Sequence, residues 1–539
     1  MFVRTLLHNP LFANTNLFAR GSSIPLDSLR MLSKTDNLLS AFHLRSHIGG
    51  FLNIRNEMSA MRRISQRSCS IWVGIIAVLM LIQVTDAAEK PNVLFIAVDD
   101  LNDWISPLGG YEGCQTPNLE RLAERGMTFT RAYCAAPACN PSRASLMTGV
   151  RPWTSGVYHN PQPWRPAMPD VLTIPQHFSA NGYRSTGAGK IFHGAFDENE
   201  SWDDYKKKGG DPKPTKKVLN DPHSRAGGIV WGVLDVEDSE MNDYVTASHT
   251  IELLEADHDK PFFAACGIFR PHMPWQVPRK YYDMYPLDEI KVPYVPEGDL
   301  DDVPEAGVKM AKPQGDHATI LETDNWAHAV QAYLASITFA DAQVGRVLDA
   351  LEKSQYNDNT IVVLWGDHGW HLGEKEHWRK FALWEEATRV PLFISVPGMT
   401  EPGSRCDRTV DLMSLYPTLC RLCDLPMLEQ LEGVSIVPLL KDADAKWLVP
   451  AITTHGRNNH AIRSERFRYI RYADGSEELY DHESDGGEFN NIASDPGMKD
   501  EIEKLKRWLP PNNAPDSPAK KKNSNKNANK NKNANKKGK

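Results

Sequence analysis

The sequence predicts an α/β protein: a large domain built on a mainly parallel or mixed sheet flanked by helices, followed by a smaller C-terminal α+β subdomain. Two observations predict this. Short apolar runs of β-branched and aromatic residues recur along the chain, as in strands buried on both faces. Stretches with apolar residues at helical spacing separate them, and strands alternating with helices favour parallel pairing. The 539 residues suffice for one large domain and a smaller one. With 41% hydrophobic and 24% charged residues, extensive disorder away from the ends is excluded.

The elements follow in order. VLFIAV (93–98) is a buried strand. TPNLERLAERG (116–126) is a helix with Thr116 at its cap, Pro117 at N1 and Gly126 at its end. MTFTRAYC (127–134) is strand-like, and SRASLMTG (142–149) opens another helix after a loop with two prolines. FFAACGIF (262–269) is a further buried strand, and residues 325–354 form a long helix. TIVVLWGDHG (360–369) is a strand running into a polar turn, and VPLFISVPG (390–398) is a strand. Residues 195–240 and 276–320, rich in Pro, Gly and charge, read as long surface insertions of the kind that line substrate sites. These elements assign residues 89–404 to a catalytic domain and 405–512 to the subdomain, where helical DLMSLYPTLCRLCDL precedes the short strands RFRYIRYA and EELYDHE. No internal repeat is present.

The two ends differ from the rest. Residues 71–84 form an apolar run of 14 broken only by Gln83, preceded by Arg62, Arg63 and Arg67 and followed by Ala87 and Ala88. That order marks residues 61–88 as a signal peptide, with cleavage expected near Ala87 or Ala88. The run is shorter than the roughly 20 residues that span a membrane, and an uncleaved anchor is the alternative. An exported protein, periplasmic or secreted, is therefore expected, with no stable membrane insertion after cleavage. Residues 1–60 carry no sustained period and no motif, which fits a start at Met58 or Met61, or else an unusually long leader. Residues 513–539 end in a Lys/Asn-rich tail whose last twenty positions hold nine Lys and no acid, and it is expected to be disordered.

The formal net charge is −8. Setting aside the nine positive charges of the tail and the net +5 of residues 1–88 leaves about −22 on residues 89–519. Such an acidic core argues against nucleic acid as a partner. Eight Cys are present, one of them (Cys69) in the leader. The odd number left after export implies at least one unpaired or modified thiol, and Cys139 is the candidate. The other six could pair in ways the sequence does not determine.

Asp99 and Asp100 follow one buried strand, and Asp367 and His368 close another. Ligands in open α/β sheets bind beyond the carboxyl ends of strands. Two such ends side by side would gather three carboxylates, which repel one another unless a cation joins them. A hard divalent ion with oxygen ligands meets that need. Either pair alone reads equally well as a turn or cap. The next motif changes the balance.

That motif is Cys139-Asn140-Pro141-Ser142-Arg143, followed by ASLMTG. It resembles the signature of the type I sulfatase family, and the resemblance spans roughly residues 90–500. The family has an alkaline-phosphatase-like fold. It implies that a maturation enzyme oxidises Cys139 to formylglycine, whose aldehyde hydrates to a gem-diol. One hydroxyl, near a calcium ion that lowers its pKa, attacks sulfur in line, and the second expels sulfate. The resemblance implies a calcium shell of Asp99, Asp100, Asp367, His368 and the modified Cys139. His368 stands where many relatives carry Asn, and a nitrogen ligand softens the site. Arg143 would hold the modified side chain. In GAGKIFHG, Lys190 would contact sulfate and His193 the gem-diol. In FRPHMPW, His272 would contact sulfate and is one candidate to protonate the leaving oxygen, and in HWRKF, Lys380 resembles a second sulfate-binding lysine and is another candidate for that acid. Three cations and a metal would draw an anion onto an otherwise acidic protein.

GKIFHG, FRPHMPW and GDHGWHLGEKEHW look most like the iduronate-2-sulfatase branch. That implies a sulfated carbohydrate, a glycosaminoglycan or other polysaccharide, as substrate. Two other classes stay open at this level: a phosphodiesterase or phosphonate hydrolase of the same superfamily, and an inactive glycan-binding relative. The intact Cys139 motif argues against the second.

Overall fold

In the computed structural model, which describes residues 90–519 apart from positions 195 and 197, strand β1 (Asn92–Val98) is buried throughout and lies inside a nine-stranded sheet. The signal-peptide and leader readings, and the tail from Lys520, lie outside the described residues. Beside β1 in the sheet run β2 (Met127–Tyr133), β3 (Arg184–Gly189), β4 (Asp204–Lys207), β5 (Phe262–Ile268), β6 (Thr360–Gly366), β7 (Arg389–Ser395) and β8 (Ser404–Cys406). Their order is β8-β2-β7-β6-β1-β5-β3-β4, and β9 (Val410–Asp411) also pairs with β2. All pairings are parallel except the two that β7 makes with β2 and β6, so the sheet is mixed and mainly parallel.

The strand period of two sorts β1 between two cores. Leu94, Ile96 and Val98 pack on one face with α1 (Pro117–Arg125), α3 (Asn242–Glu255) and the 28-residue α4 (Trp326–Lys353). Val93, Phe95 and Ala97 pack on the other with α2 (Cys139–Thr148) and α5 (Leu415–Leu422).

Beyond β9 the chain builds a separate antiparallel sheet from β10 (Ala451–Thr454), β11 (His460–Arg463), β12 (Phe467–Arg471) and β13 (Glu477–Asp481). One face of it meets α6 (Lys499–Lys506) through Ile502 and Leu505, and the other meets Leu383 and Trp384. Residues 404–411 thus complete the large sheet before the small one begins.

Three details differ from the sequence expectations. α2 begins at Cys139, three residues earlier than the apolar pattern indicates. Thr116 makes no side-chain cap for α1; instead the Asp341 carboxylate of α4 accepts from the Asn118 and Leu119 amides at 3.2 and 2.8 Å. The insertions are not wholly superficial. Residues 204–207 supply β4, and 229–234 pair with 275–278 in a three-stranded sheet. All seven Cys among the described residues are free and buried, so the six that could pair do not. No helix of the described residues is long and apolar enough to cross a membrane.

Candidate active site

Parallel register brings the strand ends to one level: Val98 lies opposite both Gly366 and Ile268, and Gly189 opposite Gly267. The next residues out are Asp99 and Asp100 after β1, Asp367 and His368 after β6, and Lys190 after β3. His272 lies in the turn after β5, whose His272 amide donates to the Phe269 carbonyl at 2.9 Å. Asp100 adopts φ 60°, a left-handed conformation that Asp tolerates better than most residues. Its amide donates to Asp367 Oδ1 at 3.0 Å, and its carbonyl accepts from Tyr333 at 2.7 Å.

Cys139, the first residue of α2, reaches the same point from the other side. Its Sγ lies 3.1 Å from Lys380 Nζ, 3.3 Å from His368 Nε2 and 3.9 Å from Asp100 Oδ1. The Ser142 hydroxyl donates to the Asp367 carbonyl at 2.5 Å and so ties α2 to β6. Arg143, fully buried, bridges Asp99 Oδ1 and Asp367 Oδ2 at 2.9 and 2.8 Å, and also donates to the Lys190 and Ile191 carbonyls. Lys190 pairs with Asp99, and Lys380 with Asp100 at 2.7 Å. Candidate ligand atoms of Asp99, Asp100, Cys139, Asp367 and His368 all lie within 4.8 Å of one another.

Electrostatics follow from burial. Burial pushes Asp99 upward, but Lys190 and Arg143 outweigh it and hold its carboxyl well below the usual range. Asp100 is pushed up to about 7 by burial, which Lys380 only partly offsets. Lys380 and Arg143 are opposed by burial yet held above their ordinary values by Asp100 and by Asp367 and Asp99 respectively. Burial and Lys190 lower His193 to about 4 and take His272 well below its usual value.

The residues present fit a cation. His368 Nδ1 faces the Gly369 carbonyl at 3.0 Å, so it carries the proton. Its Nε2 lone pair then points at Asp100 Oδ1 and Asp367 Oδ2, 3.4 and 3.5 Å away. Acceptors facing acceptors in a buried site call for a positive charge between them. Asp100 Oδ2 is buried and has no hydrogen-bond partner among the described residues. Three carboxylates against Arg143, Lys190 and Lys380 give no net charge, so a dication leaves a surplus of two for an incoming anion. Mixed O and N donors suit calcium or another hard divalent ion. A second group, Glu385, His482 and Glu488, is already satisfied by Arg468, which bonds both carboxylates.

The structure therefore brings together the predicted ligand set, Arg143, Lys190, Lys380 and His272, whose Nε2 is 3.9 Å from Asp100 Oδ2. His193 lines a cavity with Lys190 and His272, and its Nδ1 is buried without a partner among the described residues. Sequence reasoning missed His377, whose two ring nitrogens face the Ala311 and Lys380 carbonyls at 2.7 and 2.8 Å. Its place in HWRKF, three residues before Lys380, is the available signal. It missed Lys208 as well, which lies in an insertion with no motif.

Comparison with known proteins accords with this geometry. A family model described as Sulfatase matches residues 91–425, and one described as N-sulphoglucosamine sulphohydrolase, C-terminal, matches 373–513. A Formosa agariphila protein named Sulfatase is 42% identical over 80% of this chain and 89% of its own length. Mouse iduronate 2-sulfatase is 31% identical over 67% of this chain and 74% of its own. A solved structure of a 2-O GAG sulfatase superposes with TM-score 0.63 at 23% identity, covering 78% of this chain and 91% of that one, and shows the shared fold.

Proposed function

The chain belongs to the sulfatase family of sulfuric ester hydrolases, and from that premise we propose that it is an exported enzyme that cleaves a sulfate ester on a sulfated carbohydrate, uronate 2-O-sulfates first among them, using calcium and a formylglycine made from Cys139. One observation carries the reading: a buried, charge-balanced cluster of three carboxylates and three cations surrounds Cys139 at the start of α2 and still leaves acceptor atoms facing each other. The uronate preference is supported by the phrases GKIFHG and FRPHMPW and by 31% identity to mouse iduronate 2-sulfatase.

Asp99, Asp100, Asp367, His368 and the oxygen that replaces the Cys139 sulfur would hold the calcium, which supplies charge that favours loss of a hydroxyl proton. As formylglycine, residue 139 supplies a hydrated aldehyde as nucleophile. This chain's own side chains do the rest. Arg143 orients both carboxylates and closes the floor of the site. Lys190 and Lys380 present ammonium groups to the sulfate oxygens, in a water-poor setting where such contacts gain strength. His272 Nδ1 donates to the Met273 carbonyl at 2.6 Å, so Nε2 is the atom that would gain a proton when the ring charges and pass it to the leaving oxygen. Burial and Lys190 keep His272 neutral, and a bound sulfate anion favours its charging. His193, whose Nδ1 has no partner among the described residues, would bond the hydrated side chain.

The test is mass spectrometry and turnover on the same preparation. Maturation is expected to remove about 18 Da from the CNPSR peptide. The matured protein should hydrolyse a 2-O-sulfo-uronate glycoside far faster than a phosphate diester, and Cys139→Ser should fold and fail to turn over. Unmodified Cys139 protein that hydrolyses the sulfate ester as fast as the matured form would overturn the reading.

A further inference from the structure

A cavity of about 350 Å³ opens beside the cluster, lined by Lys190, His193, His272, Lys208, Phe269 and glycine backbone. No acidic side chain lines it among the described residues. Lys208 is half-buried, and its ammonium sits 3.8 Å from the centroid of the Phe269 ring. Lys190 lies 5.4 Å from the same centroid, so the two ammonium groups are within about 9 Å of each other. Lys190 is paired with Asp99. Lys208 has no ion pair among the described residues, and its one hydrogen bond is to the Gly209 carbonyl at 3.3 Å.

The nearby carboxylates are engaged elsewhere. Asp211 holds the Arg270 guanidinium at 2.6 Å and the Asn242 amide at 2.9 Å. Asp243 accepts from the Phe269 and Arg270 amides, both at 2.9 Å. Asn242, the first residue of α3, accepts from the Gly209 amide and fixes the loop that carries Lys208. Burial pushes Lys208 below its ordinary pKa, with Asp211 and Asp243 acting the other way. A half-buried ammonium on an aromatic face, without a counter-charge, is stabilised by an incoming anion.

We propose that Lys208, seated on Phe269, forms a second anion subsite that takes the carboxylate of a uronate whose sulfate ester lies at Lys190 and Lys380. With the two ammonium groups no more than about 9 Å apart around one ring, a single sugar residue is large enough to reach both. This rests on the sulfatase reading and adds the feature that selects an acidic sugar over a neutral one.

Binding can be separated from turnover. Calcium-loaded Cys139→Ala protein is titrated calorimetrically with the methyl glycoside of 2-O-sulfo-iduronate and with its carboxyl-reduced analogue. The protein with Lys208 intact should bind the carboxylate-bearing sugar about 10- to 100-fold more tightly, the range for one charge-assisted contact. Lys208→Gln should collapse that ratio toward one, and Lys208→Arg should restore most of it. In matured enzyme the ratio of kcat/KM for the same two sugars should move in parallel. Equal binding of the two sugars with Lys208 intact, or a ratio that survives Lys208→Gln, overturns the subsite. A binding ratio that behaves as expected in a protein that never turns over either sugar upholds the subsite and overturns the enzymatic reading instead.

Discussion

Asp100 faces the cluster with one carboxylate oxygen that has no hydrogen-bond partner among the described residues, while the other contacts Lys380. Asp100→Asn keeps the shape of the side chain and removes one negative charge from the proposed calcium shell. Calcium affinity, read by calorimetry, is expected to fall by about 10- to 100-fold, as when the support of a metal ligand is disturbed. Turnover should fall with it and recover in part at high calcium. Undiminished turnover in metal-free buffer would sink the assignment. The side chains of this cluster were legible in the sequence because each sits in a local phrase at a strand end or helix start, where chemistry and topology agree. Lys208 was not, because it follows Lys206 and Lys207 in a polar insertion and only the fold sets it against Phe269.

At the scale of the element, the segment from Lys375 to Phe381 presents Lys380 from an unfavourable backbone. Lys375, Glu376, Arg379 and Phe381 all have positive φ, at 56°, 49°, 79° and 79°. Non-glycine residues held so cost of order 1–3 kcal/mol each and persist only where surrounding contacts demand it. Those contacts are the buried Lys375–Asp299 pair at 2.9 Å, the Arg379–Asp316 pair at 2.6 Å, and the Phe381 amide on the Pro137 carbonyl at 3.1 Å. His377 adds another, because its ring lies between the Ala311 and Lys380 carbonyls, at 2.7 and 2.8 Å, and its N–H donates to one of them. It therefore acts as a positioning residue for Lys380. His377→Gln cannot span both carbonyls and is expected to lower kcat by about tenfold or more, since small displacements of catalytic groups are expensive. In a Lys380→Ala background the same change should have little further effect on kcat. Equal losses in both backgrounds would make His377 merely structural. Elements built on apolar runs were legible, whereas β3 was not: RSTGAG lacks the β-branched, aromatic composition of a strand and is held by pairing with β5 and β4. The cap of α1 was equally hidden, because Asp341 lies over 200 residues away.

Over the whole molecule, the small sheet braces the catalytic half. Arg468 on β12 is fully buried, bonds Glu385 and Glu488, and donates to the Leu383 carbonyl at 3.1 Å, three residues beyond Lys380. Glu385 also accepts from Tyr133 at the end of β2, at 2.8 Å, so one network joins the large sheet, the Lys380 segment and the small sheet. Removing one member of a buried, paired set costs about 3–5 kcal/mol, because a charge is left uncompensated. Arg468→Met is expected to lower the thermal midpoint accordingly at pH 7, with turnover suffering as the Lys380 segment loosens. The pH dependence gives a sharper check. Burial pushes Glu385 and Glu488 upward, but Arg463 and Arg468 outweigh it for Glu385, and Arg468 with His482 for Glu488. Both carboxyls therefore sit below the ordinary value of 4.5 in the fold. A depressed folded pKa contributes stability that is present above the unfolded value and lost as pH falls through the folded one. The gap in midpoint between the native chain and Arg468→Met should therefore be full near pH 7 and narrow steadily below about pH 4. Thermal unfolding across that range decides it, and a gap that stays constant into acid would show that Arg468 acts through packing and not through its carboxylates.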